Sequence, residues 1–156
     1  MKNFKIYVDT SVIGGCFDPE FSEFSKALFA DFSAGRFTAV VSELVAAEIL
    51  PSPEMVRHKY RELVTIPSCI VLPITDEALE LRDRYAGKGV LGERFLNDML
   101  HIALASLTEV DVLVSWNFKH IVRLDKIRLF NSVNLEQGLK LLQIYSPREV
   151  ISYGEE

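Results

Sequence analysis

Four polar side chains of this sequence occupy places where chemistry is more plausible than packing. Asp9 ends the β-rich run Phe4-Lys5-Ile6-Tyr7-Val8, and Asn117 follows a second such run, Asp111 to Ser115. Ligands of open α/β sheets bind at the carboxyl ends of the strands, so both residues stand where a ligand would be met. Glu48 is the only polar side chain in Leu44-Val45-Ala46-Ala47-Glu48-Ile49-Leu50. Asp98 lies within residues 95–105, which are apolar in nearly every direction around a helical axis, the pattern of a buried helix. A carboxylate there must be paired, neutralised or metal-bound, because an isolated buried charge is costly. No Lys or Arg lies within a turn of Glu48, whereas Arg94 leaves an ion pair open to Asp98.

Carboxylates gathered in one place repel one another, and a divalent cation relieves that repulsion. Cys16, Cys69 and the histidines at 58, 101 and 120 show no zinc-like spacing. Oxygen ligands remain, and they select a hard ion such as Mg²⁺ or Mn²⁺. Each residue also has a plainer reading: Asp9 as a turn or cap, Glu48 on a solvent edge, Asp98 paired with Arg94. The arrangement, in chain order strand-end Asp, helical Glu, helical Asp and strand-end Asn, sets them apart. His101, three positions beyond Asp98 on nearly the same helix face, is read as a packed, hydrogen-bonded histidine outside the catalytic set.

The elements that would position these groups alternate regularly. Strands are expected at Phe4–Val8, Phe37–Val41, Cys69–Leu72, Asp111–Ser115 and Leu141–Tyr145. Helices are expected at 19–34, at 43–50 after the cap Ser42, from Pro53 to Leu63, at 76–86 after the cap Thr75, at 93–107 and within 124–138. Asp9-Thr10-Ser11 to Gly14-Gly15 reads as a loop. Strands alternating with helices imply an α/β fold with a mainly parallel, roughly five-stranded sheet, and residues 1–156 read as a single domain.

Composition narrows the function further. Of 156 residues, 49% are hydrophobic and 25% charged, as in a globular domain with a true core. No run approaches the ~18 apolar residues of a membrane span, and the N-terminus lacks a secretory signal, so a cytoplasmic protein is expected. The net charge of -5 argues against a protein that coats nucleic acid by neutralising phosphates.

With these residues in order, the whole chain resembles a PIN domain, and more narrowly the VapC-type toxins of bacterial and archaeal toxin–antitoxin pairs. The resemblance rests on Ile6-Tyr7-Val8-Asp9-Thr10-Ser11, on Ser42 with Glu48, on Asn97-Asp98-Met99-Leu100-His101-Ile102-Ala103-Leu104-Ala105, and on Ser146-Pro147-Arg148-Glu149-Val150. One departure stands out: where the family usually carries a fourth Asp, Ser115-Trp116-Asn117 has Asn, one negative charge fewer. The resemblance implies a three-layer α/β/α fold and Mg²⁺- or Mn²⁺-dependent hydrolysis of RNA. It implies Asp9, Glu48, Asp98 and Asn117 as catalytic and metal-binding residues, and a 5′-phosphate product. Ser11 and Ser115 would orient the acids. Lys119, His120 and Arg123, with Lys126 and Arg128, are candidates for RNA phosphate contact or plain solvated charge. Trp116 and Phe118 are read as loop anchors before base-stacking groups. A cognate antitoxin and a homodimer are implied partners, with Phe21, Phe24, Phe29 and Phe32 a contributor to the dimer or, for most of them, simply core.

Two other readings stay open. A catalytically inactive PIN-fold binding module would suit the Asn at 117 and the acidic charge. A Mg²⁺-dependent phosphatase of the haloacid dehalogenase type also begins with a strand-end Asp, but needs a second Asp where this chain has Ser11.

Overall fold

Short β-branched runs separated by amphipathic helices fold into a parallel sheet flanked by helices; the computed structural model describes residues 3–151. The strands are β1 (Lys5–Val8), β2 (Thr38–Ser42), β3 (Ile70–Leu72), β4 (Val112–Val114) and β5 (Gln143–Tyr145). They pair side by side, all parallel, in the order β3-β2-β1-β4-β5. The expected α/β class and five-stranded sheet are therefore present. The helices are α1 (Thr10–Gly15), α2 (Ser22–Ser33), α3 (Glu43–Ile49), α4 (Glu54–Val64), α5 (Asp76–Gly87), α6 (Leu96–Leu107), α7 (Leu124–Glu136) and α8 (Pro147–Val150).

Strand order dictates where the helices go. Crossovers between parallel strands are right-handed, so those leading from β1 toward β3 cover one face and those leading to β4 and β5 cover the other. The packing agrees: α1 to α4 and α8 contact one another, and α5, α6 and α7 form a second group. Between them lies one hydrophobic core, built on Ile6, Tyr7, Val8, Val40, Val41, Leu113 and Val114 of the sheet. The chain changes direction between β1 and β4, and the carboxyl ends of those two strands form the crevice where such sheets bind ligands.

Four local features, the short helix α8 among them, differ from the sequence expectation. The segment after Asp9 is the helix α1, not a loop. Its two glycines and six residues give little helical propensity, and burial of Val12 and Ile13 holds it instead. Helix α2 begins at Ser22, because the amides of Phe21 and Ser22 turn back onto the Asp18 carbonyl. Residues 93–95 form a single 3₁₀ turn before α6 proper. At the C-terminal side, Ser146 and Glu149 close a capping box around Pro147, which nucleates α8. Phe29 and Phe32 are buried, and Phe21 and Phe24 pack against Trp116, so the early aromatics serve the core.

Candidate functional site

Asp9 is delivered by the end of β1 and occupies the N-cap position of α1, yet its side chain does not cap that helix. Its carboxylate is 4% exposed and turns toward β4 instead. Ser11 donates to Oδ1 at 2.6 Å and Ser115 donates to Oδ2 at 2.6 Å. Ser11 and Ser115 thus each engage one oxygen of the Asp9 carboxylate. The backbone amides of Trp116 and Asn117 in turn donate to Ser11 Oγ and Ser115 Oγ at 2.9 Å. The turn after β4 is stitched to the turn after β1 by this ladder.

Glu48 lies one residue before the end of α3, a helix set in place by the Ser42 cap, whose Oγ accepts from the Val45 amide at 3.3 Å. It is neither buried alone nor on a solvent edge. Thr10 donates to its Oε1 at 2.6 Å, His101 Nε2 stands 2.7 Å from the same oxygen, and Asn97 Nδ2 is 3.5 Å from Oε2. Asp98 sits in the first turn of α6, where the helix dipole favours an acid. His120 Nδ1 lies 3.3 Å from its Oδ2, and the Asn117 amide nitrogen is 3.4 Å from that oxygen. Arg94, the partner left open by sequence, lies over the ring of Phe95.

The three acids respond differently to their surroundings. Burial raises the pKa of Asp9 above the ordinary value, against the opposing influence of His101 and the two serine hydroxyls. Burial also raises Asp98, with the charge of Glu48 adding to it and His120 and His101 opposing. Burial pushes Glu48 upward too, but its hydrogen bond to His101, the imidazole's influence and the Thr10 and Asn97 donors outweigh it, leaving a net lowering. His101 therefore acts on all three acids. Buried at 2% exposure, it is the packed, hydrogen-bonded histidine expected from sequence and a neighbour of the site as well.

Asn117 does not present a free ligand oxygen. Its Oδ1 accepts from the backbone amides of Lys119 and His120, at 3.2 and 3.0 Å, which fixes the amide orientation and turns Nδ2 toward Asp98. This is an Asx-type turn, in which the oxygen expected as a metal ligand accepts from amides of its own loop. Among the described residues, no three His, Cys, Asp or Glu side chains stand as a ready-made metal-binding group. The donor set still fits an ion such as Mg²⁺, which is commonly held by one or two carboxylates while keeping several waters. Asp9, Asp98 and Glu48 are the residues able to do so.

Of the cationic candidates, Arg123 Nε is 2.8 Å from Asp125, and Lys126 donates to the Val90 carbonyl at 2.9 Å. His120 packs against Phe95 with ring centroids 3.9 Å apart and the planes tilted by 39°, and Lys119 follows Asn117 on the exposed loop. Trp116 is 8% exposed, stacks on Phe21 at 4.2 Å and donates from Nε1 to Ser25 at 2.9 Å, so it anchors the loop. Phe118 remains half exposed. Arg57 and Arg61 pair with Glu54, and Lys59 with Glu62, as a solvated helix face does. Sequence reasoning passed over Tyr7, Thr10 and Asn97, and assigned Ser42 only its capping role. Strand alternation marks Tyr7 only as core, and nothing local shows what its hydroxyl meets.

The PIN domain family matches the sequence over residues 6–126. No curated protein matches it. Among solved structures, the fold is similar to a chain of the DNA-bound VapBC from Salmonella typhimurium, at 13% identity and TM-score 0.58, over 92% of this chain and 98% of that one. It is similar to a chain of VapBC2 from Rickettsia felis bound to a promoter DNA fragment, at 12% identity and TM-score 0.56, over 90% and 97%. A chain of a toxin–antitoxin complex from Klebsiella pneumoniae matches at 16% identity and TM-score 0.54, over 74% and 88%. At these identities the likeness is one of fold. No helix of the described residues is long and apolar enough to cross a membrane.

Proposed function

The chain belongs to the PIN domain family, and from that premise we propose that it is a Mg²⁺- or Mn²⁺-dependent ribonuclease, the toxin of a toxin–antitoxin pair. The observation that carries this reading is the influence that buried His101, hydrogen-bonded to Glu48, exerts on Asp9 and Asp98 as well. Asp9 ends β1, Glu48 lies near the end of α3 and Asp98 stands in the first turn of α6, so the three acids come from three separate segments. Family membership and the fold of the VapBC chains support the same reading.

Asp9 and Asp98 would hold the divalent ion, with Glu48 ordering its water shell. When bound, that ion stabilises charge on the phosphate and lowers the pKa of the attacking water. Ser11 and Ser115 keep both oxygens of Asp9 in orientation, and Asn117 does the same for Asp98 through its amide. His120, paired with Asp98, and Lys119 lie on the loop that RNA phosphates would meet, while Arg123 is partly neutralised by Asp125. Water attacks in line and leaves a 5′-phosphate. A cognate antitoxin would cover this acidic site, and a homodimer is part of the same proposal.

The test is cleavage of 5′-labelled single-stranded RNA with Mg²⁺ or Mn²⁺, an EDTA control and the Asp9→Asn and Asp98→Asn variants. Cleavage that EDTA and either substitution abolish is expected. Unchanged cleavage by Asp9→Asn would remove that acid from the mechanism. An inactive binding module is favoured by one observation, the engagement of the Asn117 oxygen in its own loop. Folded protein that neither binds Mn²⁺ nor cuts RNA would establish it. For the phosphatase alternative, Ser11 holds Asp9 where a second acid would be needed.

A further inference from the structure

Behind Glu48 a chain of hydrogen bonds runs through His101 to Tyr7 and Ser42. Ser42 Oγ is 2.8 Å from Tyr7 Oη, Tyr7 Oη is 2.7 Å from His101 Nδ1, and His101 Nε2 is 2.7 Å from Glu48 Oε1. Ser42 and Tyr7 are fully buried and His101 nearly so; buried polar groups of this kind need partners, and every one here has them. Tyr7 is wholly buried, and its hydroxyl has Ser42 Oγ and His101 Nδ1 as partners.

The direction of the chain follows from its far end. Ser42 Oγ already accepts the Val45 amide as the cap of α3, so its own hydrogen goes to Tyr7. Tyr7 then donates to His101 Nδ1, and the hydrogen on Nε2 is left for Glu48. In the opposite direction Ser42 would accept twice and its hydrogen would have no acceptor on the chain. At the near end Oε1 receives both His101 and Thr10, whereas Oε2 has only the 3.5 Å approach of Asn97.

We propose that Tyr7 and His101 are positioning residues, a buried relay that clamps Glu48 Oε1 and so leaves Oε2 as the oxygen offered to the divalent ion. The inference rests on the metal-dependent reading above and deepens it. The relay couples the α3 cap to the orientation of an acid on the same helix, so Glu48 is held from both ends of α3. Outer hydrogen bonds of this kind fix a ligand's rotamer before the ion arrives.

The test compares wild type with Tyr7→Phe, His101→Leu and His101→Gln. Mn²⁺ affinity of the metal-free protein, the ¹⁵N histidine spectrum and the urea midpoint are measured for each. Tyr7→Phe keeps the ring and loses one oxygen. It should weaken Mn²⁺ binding about tenfold or more, in the range seen when partners of metal ligands are removed. His101→Leu should do the same, while His101→Gln, whose amide can still donate to Glu48, should recover most of the affinity. The wild-type spectrum should show His101 protonated at Nε2 and accepting at Nδ1, and Tyr7→Phe should lose that exclusive tautomer. Variants that lower the urea midpoint but bind Mn²⁺ like wild type would overturn the relay alone. So would wild type carrying the hydrogen on Nδ1. Wild-type protein that binds no Mn²⁺ would overturn the metal-dependent reading and the relay with it.

Discussion

Adjacent glycines in α1 should respond in opposite directions to the same substitution. A Cβ built at Gly15 would meet Trp116 Nε1 at 2.7 Å, Ser25 Oγ at 2.8 Å and Trp116 Cδ1 at 2.9 Å, whereas one at Gly14 meets nothing within 4 Å. Trp116 cannot yield easily, since it is stacked on Phe21 at 4.2 Å and bonded to Ser25 at 2.9 Å. Relieving the clash means moving the indole by several tenths of an ångström, an overpacking strain worth about 1–3 kcal/mol. At about 2–4 °C per kcal/mol for this chain length, Gly15→Ala should lower Tm by about 2–12 °C. Gly14→Ala should instead stabilise by about 0.5–1 kcal/mol, because alanine loses less backbone freedom in a helix. Trp116 is the only tryptophan, so its emission reports directly, and a red shift is expected for Gly15→Ala alone. RNA cleavage should fall with it, because Trp116 separates Ser115 from Asn117. Gly15→Ala matching Gly14→Ala in both Tm and emission would refute the reasoning.

Asp9→Asn should stabilise the metal-free protein at pH 7 while abolishing cleavage. The folded-state pKa of Asp9 is raised, so its favourable contribution is complete below the ordinary carboxylate value of about 3.9 and is lost as pH rises through the folded value. Urea midpoints of both proteins from pH 4 to 7 should diverge upward, and a flat difference would contradict this. Cys16 and Cys69, both pushed up to about 11 by burial, should resist iodoacetamide in the native state at pH 8 and react on unfolding. Rapid native labelling of Cys69, the less buried of the two, would refute it. Tyr85 donates to Asn134 at 2.5 Å in a buried cluster with Ser106, so Tyr85→Phe should cost about 1–3 kcal/mol in urea unfolding. Tyr145→Phe, a change on a more exposed ring, is the control and should cost little.

Much of this molecule was legible before it was folded. Strand alternation and helical spacing located every strand and the six longer helices, because those patterns follow directly from which face is buried. α1 escaped, since Thr10–Gly15 is held by tertiary burial of Val12 and Ile13 against its own weak propensity. The capping box of α8 was present in the letters, Ser146 and Glu149 three apart around Pro147, and could have been read as a helix start. The acids were identifiable one by one, from polarity in apolar surroundings. Their partners were not: Glu48 and His101 lie 53 residues apart and Asp98 and His120 on different elements, and no local pattern encodes such meetings. The two loop amides that meet the Asn117 oxygen likewise become visible only once the turn is formed.

Ser115 grips Asp9 across 106 positions of chain, and β4 reaches β1 only after β2 and β3 have been laid down on its other side. A ribosome that has made the first two-thirds of this protein therefore carries a central strand whose Asp9 has Ser11 but still lacks Ser115. The pocket around Asp9 is thus completed late in translation, when the closing strands dock against β1.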